Sequence, residues 1–438
     1  MGDRTGGIDK NMLRHSIRFR LNEILLSMSD AIDMISPQLN RHHQKVAYLS
    51  YRIASEIGMS LEQQRLVLMQ GLVHDIGALS VDERLSLIEE EQPDDVNSHA
   101  FRGARLLSKC RPLKALADGI RYHHLRWDYG RGMEFLGRPI PINSHILHLA
   151  DRVSVYFDDA PNVITKSSKL MEHFSKGENT RYSPMLLEAL AELAKREYIW
   201  LEMSDREPIQ YLPDYVMEFG KHDLDDFLQM ARMFSRVIDF RSRFTATHSA
   251  GVAHTAGKLA ELSGMSADER KMMLIAGYLH DLGKLAVKNS ILEKPSKLSI
   301  NEFDVIRSHS FYTYKLLSGI EGFHTINQWA SFHHEKLNGA GYPFHLKGEQ
   351  IPFGSRVMTV ADIFTAVIEH RPYRNGVDKQ QVRGIFEKLV KNGEVCEAAV
   401  DTLVGNLDVF VELCNREQQL AAEDYESFFS DEETAVLV

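Results

Sequence analysis

Helical periodicity dominates the pattern of apolar and polar positions along the chain. In Leu186–Ala194, Lys271–Leu279 and Val382–Val390 the apolar residues recur three and four apart rather than in alternation. Alternating β-branched runs are scarce, so the pattern predicts an all-α protein. The apolar stretch Met272–Leu279 is far shorter than the roughly 20 residues a membrane-spanning helix needs. It reads as the buried face of a core helix.

The pattern is also written twice. His42, His74-Asp75, His99, His123-His124 and Asp151 recur in order as His248, His280-Asp281, His309, His333-His334 and Asp362. Two of the intervals are identical: His42 to His74 and His248 to His280 are both 32 residues, and His99 to His123 and His309 to His333 are both 24. Flanking text agrees, with Gly58-Met59-Ser60 matching Gly264-Met265-Ser266 and Ile140-Pro141 matching Ile351-Pro352. Such self-similarity predicts two tandem helical bundles. The expected boundaries are a first domain at 1–206, a helical connector at 207–229 with Pro208 and Pro213, and a second domain at 230–415. An acidic tail at 416–438, carrying Glu423, Asp424, Glu426, Asp431, Glu432 and Glu433, reads as a solvated end.

Composition narrows the function classes. A chain of 438 residues with 44% hydrophobic and 26% charged residues has the make-up of a globular protein of two or three folding units rather than a disordered one. The net charge of -10 argues against a nucleic-acid polymer as partner, since backbone affinity depends on many Lys and Arg. Between His280 and Arg374, however, 11 basic residues against 9 acidic ones leave +2, enough to hold a small anion. Cys110, Cys396 and Cys414 are too few and too scattered for a disulfide framework or a CxxC metal pair, and read as reduced core thiols. The first residues lack the apolar core of a signal peptide, and Gly6 stands where a myristoylation motif wants Ser or Thr. The expectation is a cytoplasmic protein without a membrane partner.

The repeated residues carry the candidate chemistry. In the second repeat they are His248, His280, Asp281, His309, His333, His334 and Asp362. Imidazole nitrogen with carboxylate oxygen suits Fe, Mn, Zn or Ni better than Mg or Ca, which prefer oxygen shells. Seven donors exceed what one tetrahedral ion uses. Two neighbouring ions bridged by a carboxylate use the set better, and such pairs serve phosphoester cleavage.

The run His280-Asp281-Leu282-Gly283-Lys284, the segment His333-His334-Glu335 through Gly341-Tyr342-Pro343, and Arg371-Pro372-Tyr373-Arg374 resemble the HD-GYP family of cyclic-dinucleotide phosphodiesterases over about 235–400. The resemblance implies hydrolysis of cyclic di-GMP or 3′3′-cyclic GMP-AMP to a linear 5′-phosphorylated dinucleotide by a hydroxide held on two metal ions. It implies that the seven residues are metal ligands with Asp281 the bridge, and that Fe, Mn or Ni is preferred over Zn or Mg. Lys284 is then expected to steady a phosphate or developing oxyanion beside the ions, Arg371 and Arg374 to grip the second phosphate, and Tyr342 to shape the pocket rim. Some members add a Glu four residues before the first His and a third metal; Phe244 stands there, which favours two. Further departures are Thr365 for a usual Asp, and Ser310 and Thr313 for a usual Pro and Gly. A receptor that binds the dinucleotide with little turnover is the alternative reading.

The first repeat keeps every ligand type, yet Ala78 replaces Lys284, Leu125 replaces Glu335, and no counterpart of Arg371–Arg374 follows Asp151. It resembles a diverged HD domain that packs on the second as an internal pseudo-dimer. That tandem arrangement resembles phosphodiesterases associated with cyclic GMP-AMP.

Overall fold

The computed structural model describes residues 18–34, 41–79, 83, 98–158, 162–241, 246–292, 294, 296–369 and 376–430. Nearly all of its regular structure is helical; the strands among the described residues are two-residue pairs, Phe19–Arg20 with Lys221–His222 and Glu134–Phe135 with Arg138–Pro139.

The helices that position the sites are α1 (Leu21–Asp33), α2 (His42–Glu56), α3 (Leu61–Leu72), α4 (Ser98–Ser108), α5 (Ala117–Arg121) and α6 (Ile142–Asp158) in the first repeat. Their counterparts in the second are α7 (Leu224–Asp239), α8 (His248–Leu262), α9 (Ala267–Leu279), α10 (Ile300–Leu317), α11 (His324–Ser331) and α12 (Phe353–Ile368). The duplication extends to local chemistry. Ser60 and Ser266 each begin a helix with a reciprocal capping box, to Gln63 and Glu269, satisfying two otherwise orphan N–H groups at each start. Gly71 and Gly277 let the paired helices touch: a Cβ at either would lie 2.5 or 2.4 Å from the Cα of Ala47 or Ala253.

The two repeats share one apolar core. Phe19, Phe227 and Phe323 pack ring to ring with centroids 4.6–5.3 Å apart, joining the first strand, α7 and the start of α11. Each such aromatic pair contributes about 0.5–1.5 kcal/mol beyond the area it buries. Helix α1 crosses to lie against α10 and the 282–286 turn, while α7 lies against the 111–116 turn of the first repeat. Across this seam Ser27 donates to the Leu316 carbonyl at 2.9 Å, and Arg111 pairs with Asp226.

Two expectations are corrected. The connector is helical only in short pieces: prolines 208 and 213 lead into 3₁₀ turns Pro208–Tyr211 and Asp214–Met217, and its last residues belong to α7, which begins at Leu224 under a cap from Asp223. Proline lacks the N–H and fixes φ, so it suits such short turns. Nor is the tail from 416 a solvated end. Helix α13 (Leu407–Ser430) runs through it, and Phe428, 3% exposed, packs on Phe240 at 5.1 Å. Arg105 donates to the carbonyls of Phe428 and Ser427 at 2.7 and 2.6 Å, and Asp424 pairs with Arg236 at 2.7 Å. The acidic composition masks apolar positions at helical spacing. Residues Asp431, Glu432 and Glu433 lie outside the described residues. Cys110, Cys396 and Cys414 are free and buried.

Candidate metal and active site

Five elements deliver the second-repeat residues to one place. His248 opens α8, His280 caps the C-terminus of α9 with Asp281 after it, His309 lies on α10, His333 and His334 follow α11, and Asp362 lies on α12. Helix termini and their following turns let adjacent side chains, His280-Asp281 and His333-His334, both face inward. Asp281 stands between two groups: Oδ2 is 3.2 Å from His280 Nε2 and Oδ1 is 3.3 Å from His309 Nε2. Asp362 spans them on the other side, 3.3 Å from His248 Nε2 and 3.9 Å from His334 Nδ1. Donor atoms of His248, His280 and Asp281, and separately of His309, His333 and His334, gather within 4.8 Å of one another.

Backbone carbonyls set the tautomers. Nδ1 of His280, His309 and His333 donates to the carbonyl three residues earlier, Gly277, Ile306 and Ala330, at 2.7, 2.6 and 2.5 Å. Each ring therefore turns its Nε2 inward, the arrangement a metal-ligating imidazole adopts. The result is acceptor against acceptor: His309 and His333 Nε2 are 3.3 Å apart, and Asp281 Oδ1 has no hydrogen-bond donor. Such a cluster repels itself unless a cation lies within it, so these residues fit bound transition-metal ions.

Charge follows the same geometry. Burial pushes the Asp281 carboxyl up, but His280, Lys284 and His309 together hold it well below the carboxylate range. Asp362 is likewise depressed, burial being outweighed by His248 and His334. Burial, with Lys284 and the other histidines, holds His309 down to about 3 and His334 to about 4, so both are neutral near pH 7. His248 differs: burial is outweighed by Asp362 and Glu369, and it is raised to about 10.

Glu369 was not legible as a site residue. Its Oε2 lies 3.5 Å from His248 Nδ1, while Thr247 and Gln418 donate to Oε1 at 3.2 and 3.3 Å. It is 5% exposed. A carboxylate behind a ligating histidine orients the ring and raises its basicity. The available signal was its spacing, seven residues after Asp362 and thus on the same helical face. Lys284, in the 282–286 turn, places Nζ 2.5 Å from Asp281 Oδ2.

The rim is built by Glu335, 1% exposed, whose carboxylate accepts from Phe344 N and Leu346 N at 2.7 and 3.0 Å. The chain folds back so tightly that a Cβ on Gly341 would meet Lys336 N at 2.3 Å. This loop lays Tyr342 on His334, ring centroids 4.8 Å apart, with the Arg307 guanidinium 4.8 Å above the Tyr342 ring. Arg307 is a second residue the sequence reading missed. Glu335→Ala takes the acceptor from two part-buried N–H groups and is expected to cost about 1–3 kcal/mol, read as a fall in melting temperature, with KM rising more than kcat falls.

Two comparisons establish the kinship. HD domain family models match residues 232–393 and 40–156. A 3′3′-cGAMP-specific phosphodiesterase 1 of Vibrio cholerae is 30% identical over 402 residues, covering 90% of this chain and 93% of that one. The chain belongs to the HD-GYP phosphodiesterase family. A cyclic di-GMP phosphodiesterase response regulator of Xanthomonas campestris is 39% identical over 142 residues, 32% of this chain and 38% of its own. A crystal structure of a cyclic GMP-AMP-specific phosphodiesterase from V. cholerae superposes with a TM-score of 0.62 at 23% identity, covering 90% of this chain and 98% of that one, which shows the shared fold.

Within this HD-GYP phosphodiesterase the departures fall in place without displacing a ligand. Thr313 accepts from Gly283 N at 2.9 Å and donates to the His280 carbonyl at 3.1 Å, tying the HD turn to α10. Ser310 Oγ is 3.3 Å from His309 Nε2. Thr365 faces Cys414 on α13 rather than the histidines. Arg371, Arg374 and Phe244 lie outside the described residues.

Proposed function

We propose that the second domain hydrolyses a cyclic dinucleotide, 3′3′-cyclic GMP-AMP or cyclic di-GMP, to the linear 5′-phosphorylated product. The observation that carries this is the convergence of five imidazoles and two carboxylates, with Nε2 of His309 and His333 turned on one another and Asp281 between the two groups. His248, His280, Asp281 and Asp362 would hold one ion and Asp281, His309, His333 and His334 the other. Bound divalent ions, for which Fe, Mn or Ni suits this nitrogen-rich set, supply Lewis-acid activation of water and of the phosphoryl group.

The chain's own residues do the rest. Asp281 carries the charge that both ions would share. Lys284, close beside it, lends a movable cation to an equatorial phosphate oxygen. Tyr342, whose phenol burial pushes well above its ordinary value, stays neutral at the rim. Arg307, half-buried against that ring, supports a contact to the phosphate not being cleaved, as do Arg371 and Arg374 by their place in the motif. The seam between the repeats supports the pseudo-dimer reading, the first repeat bracing the second. Three buried free thiols fit the reducing cytoplasm.

The test is to incubate the Mn²⁺- or Fe²⁺-loaded protein with each cyclic dinucleotide and separate the products. A linear dinucleotide with a 5′-phosphate is expected; tight binding of uncut substrate would replace this reading with the receptor. Arg307→Ala should raise KM about tenfold, the worth of one charge-assisted hydrogen bond, with kcat little changed; steady-state kinetics checks it.

A further inference from the structure

The first repeat contains a donor cluster of its own. Asp75 Oδ1 is 3.1 Å from His99 Nε2 and 3.4 Å from His123 Nε2, and His124 Nε2 is 3.1 Å from His99 Nε2. One ligating atom from each of the four lies within 4.8 Å of all the others. His123 donates its Nδ1 hydrogen to the Ile120 carbonyl at 2.7 Å, so its buried Nε2 faces Asp75 as a lone pair with no hydrogen-bond donor. A single proton on His99 Nε2 cannot satisfy all of these close pairs. One cation at their centre does.

We propose that the first HD domain holds a single divalent transition-metal ion on Asp75, His99, His123 and His124, and that Arg152 takes the place of a second. In the neighbouring half His42, His74 and Asp75 also bring ligand atoms within 4.8 Å of one another, but its second carboxylate, Asp151, is already neutralised. Asp151 gives one oxygen to His42 Nε2 at 3.2 Å, while Arg152 holds the other through Nη2 and Nε at 2.7 and 3.0 Å. In the second domain the residue after the equivalent Asp362 is Ile363, and both carboxylate oxygens face histidines. A planar guanidinium occupies carboxylate lone pairs and supplies the positive charge that an ion would otherwise bring.

The set matches Asp281, His309, His333 and His334 of the second domain, but with Arg152 on Asp151 the ion would stand without the neighbour that two-metal phosphoester cleavage uses. His99 and His123 are fully buried, and Leu125, at the position of Glu335, joins an apolar cluster with Phe101, Tyr122 and Ile140. Ala78 stands where Lys284 would reach a phosphate. The ion would therefore brace the first repeat and do no hydrolysis.

Metal content decides this independently of turnover. In the full-length His280→Ala/Asp281→Ala/His309→Ala variant, which lacks the shared Asp281 and one histidine from each second-domain group, elemental analysis should find one ion per chain. Cobalt loading should give the intense visible bands of four-coordinate Co²⁺. Adding His123→Ala and His124→Gln should remove both signals while circular dichroism stays helical. Should that variant not fold, His124→Gln alone still removes one of four donors and must weaken or shift the cobalt bands. Arg152→Ile in the same background should raise the count to two. A folded triple variant with no ion, an ion that survives loss of His123 and His124, or cobalt bands that His124→Gln leaves unchanged would each overturn the proposal. A count still at one after Arg152→Ile would overturn the role given to Arg152.

Discussion

Asp281→Ala is expected to abolish hydrolysis, with kcat falling by roughly 10³-fold or more, whereas Asp75→Ala should leave kcat within about threefold. The difference lies in what surrounds each carboxylate. Asp281 turns its two oxygens to histidines of both groups, His280 at 3.2 Å and His309 at 3.3 Å, and it alone of the two carboxylates that do so has Lys284 beside it. Removing it takes away a shared anion and leaves converging imidazoles with nothing to balance two ions. Asp75 has the same geometry, but Ala78 and Leu125 replace the groups that would handle a phosphate. Asp281→Asn separates charge from shape, since the isostere fits the cavity yet cannot neutralise a cation. Single-turnover kinetics with elemental analysis of each variant reads both effects. Equal losses from Asp75→Ala and Asp281→Ala would show that the domain roles are assigned wrongly.

Gly283→Ala should be the most damaging single methyl in the second domain. A Cβ there would lie 2.0 Å from the His309 carbonyl oxygen and 2.8 Å from Thr313 N, backbone atoms that cannot rotate away. The HD turn and α10 would have to part, carrying His309 from Asp281. Overpacking of this kind costs about 1–3 kcal/mol, occasionally more. For a folding unit of 150–250 residues, about the size of one repeat, each kcal/mol lowers the melting temperature by about 2–4 °C. Gly77→Ala repeats the experiment in the first domain, 2.0 Å from the His99 carbonyl oxygen, and should destabilise similarly while affecting turnover less. Gly384→Ala is the control. It meets nothing within 4 Å on helix Lys379–Lys391, so the added methyl should stabilise by about 0.5–1 kcal/mol through helix propensity. Melting curves and kinetics on all three distinguish a close-approach requirement from a general sensitivity to substitution.

Much of the site was legible because its residues repeat. Spacing within a helix and between helices of fixed length is conserved under duplication, so the histidine intervals pointed to the seven residues that the fold brings together. Glu369 and Arg307 escaped because neither belongs to the duplicated set. Each acts through a neighbour, Glu369 behind His248 and Arg307 over Tyr342. Arg152 escaped for a similar reason: an Asp-Arg pair is ordinary in sequence, and only burial beside His42 gives it meaning.

By itself the sequence determined the all-helical class, the duplication and the list of residues able to ligate metal, since periodicity and residue type are local properties. Only the tertiary structure decided that α13 docks through Phe428 despite its acidic face, that Glu369 stands behind His248, and that Asp281 stands between two histidine groups. Those facts depend on distances between residues tens to hundreds of positions apart. Distances of that kind are set by packing of the shared core, not by any one segment's own preference.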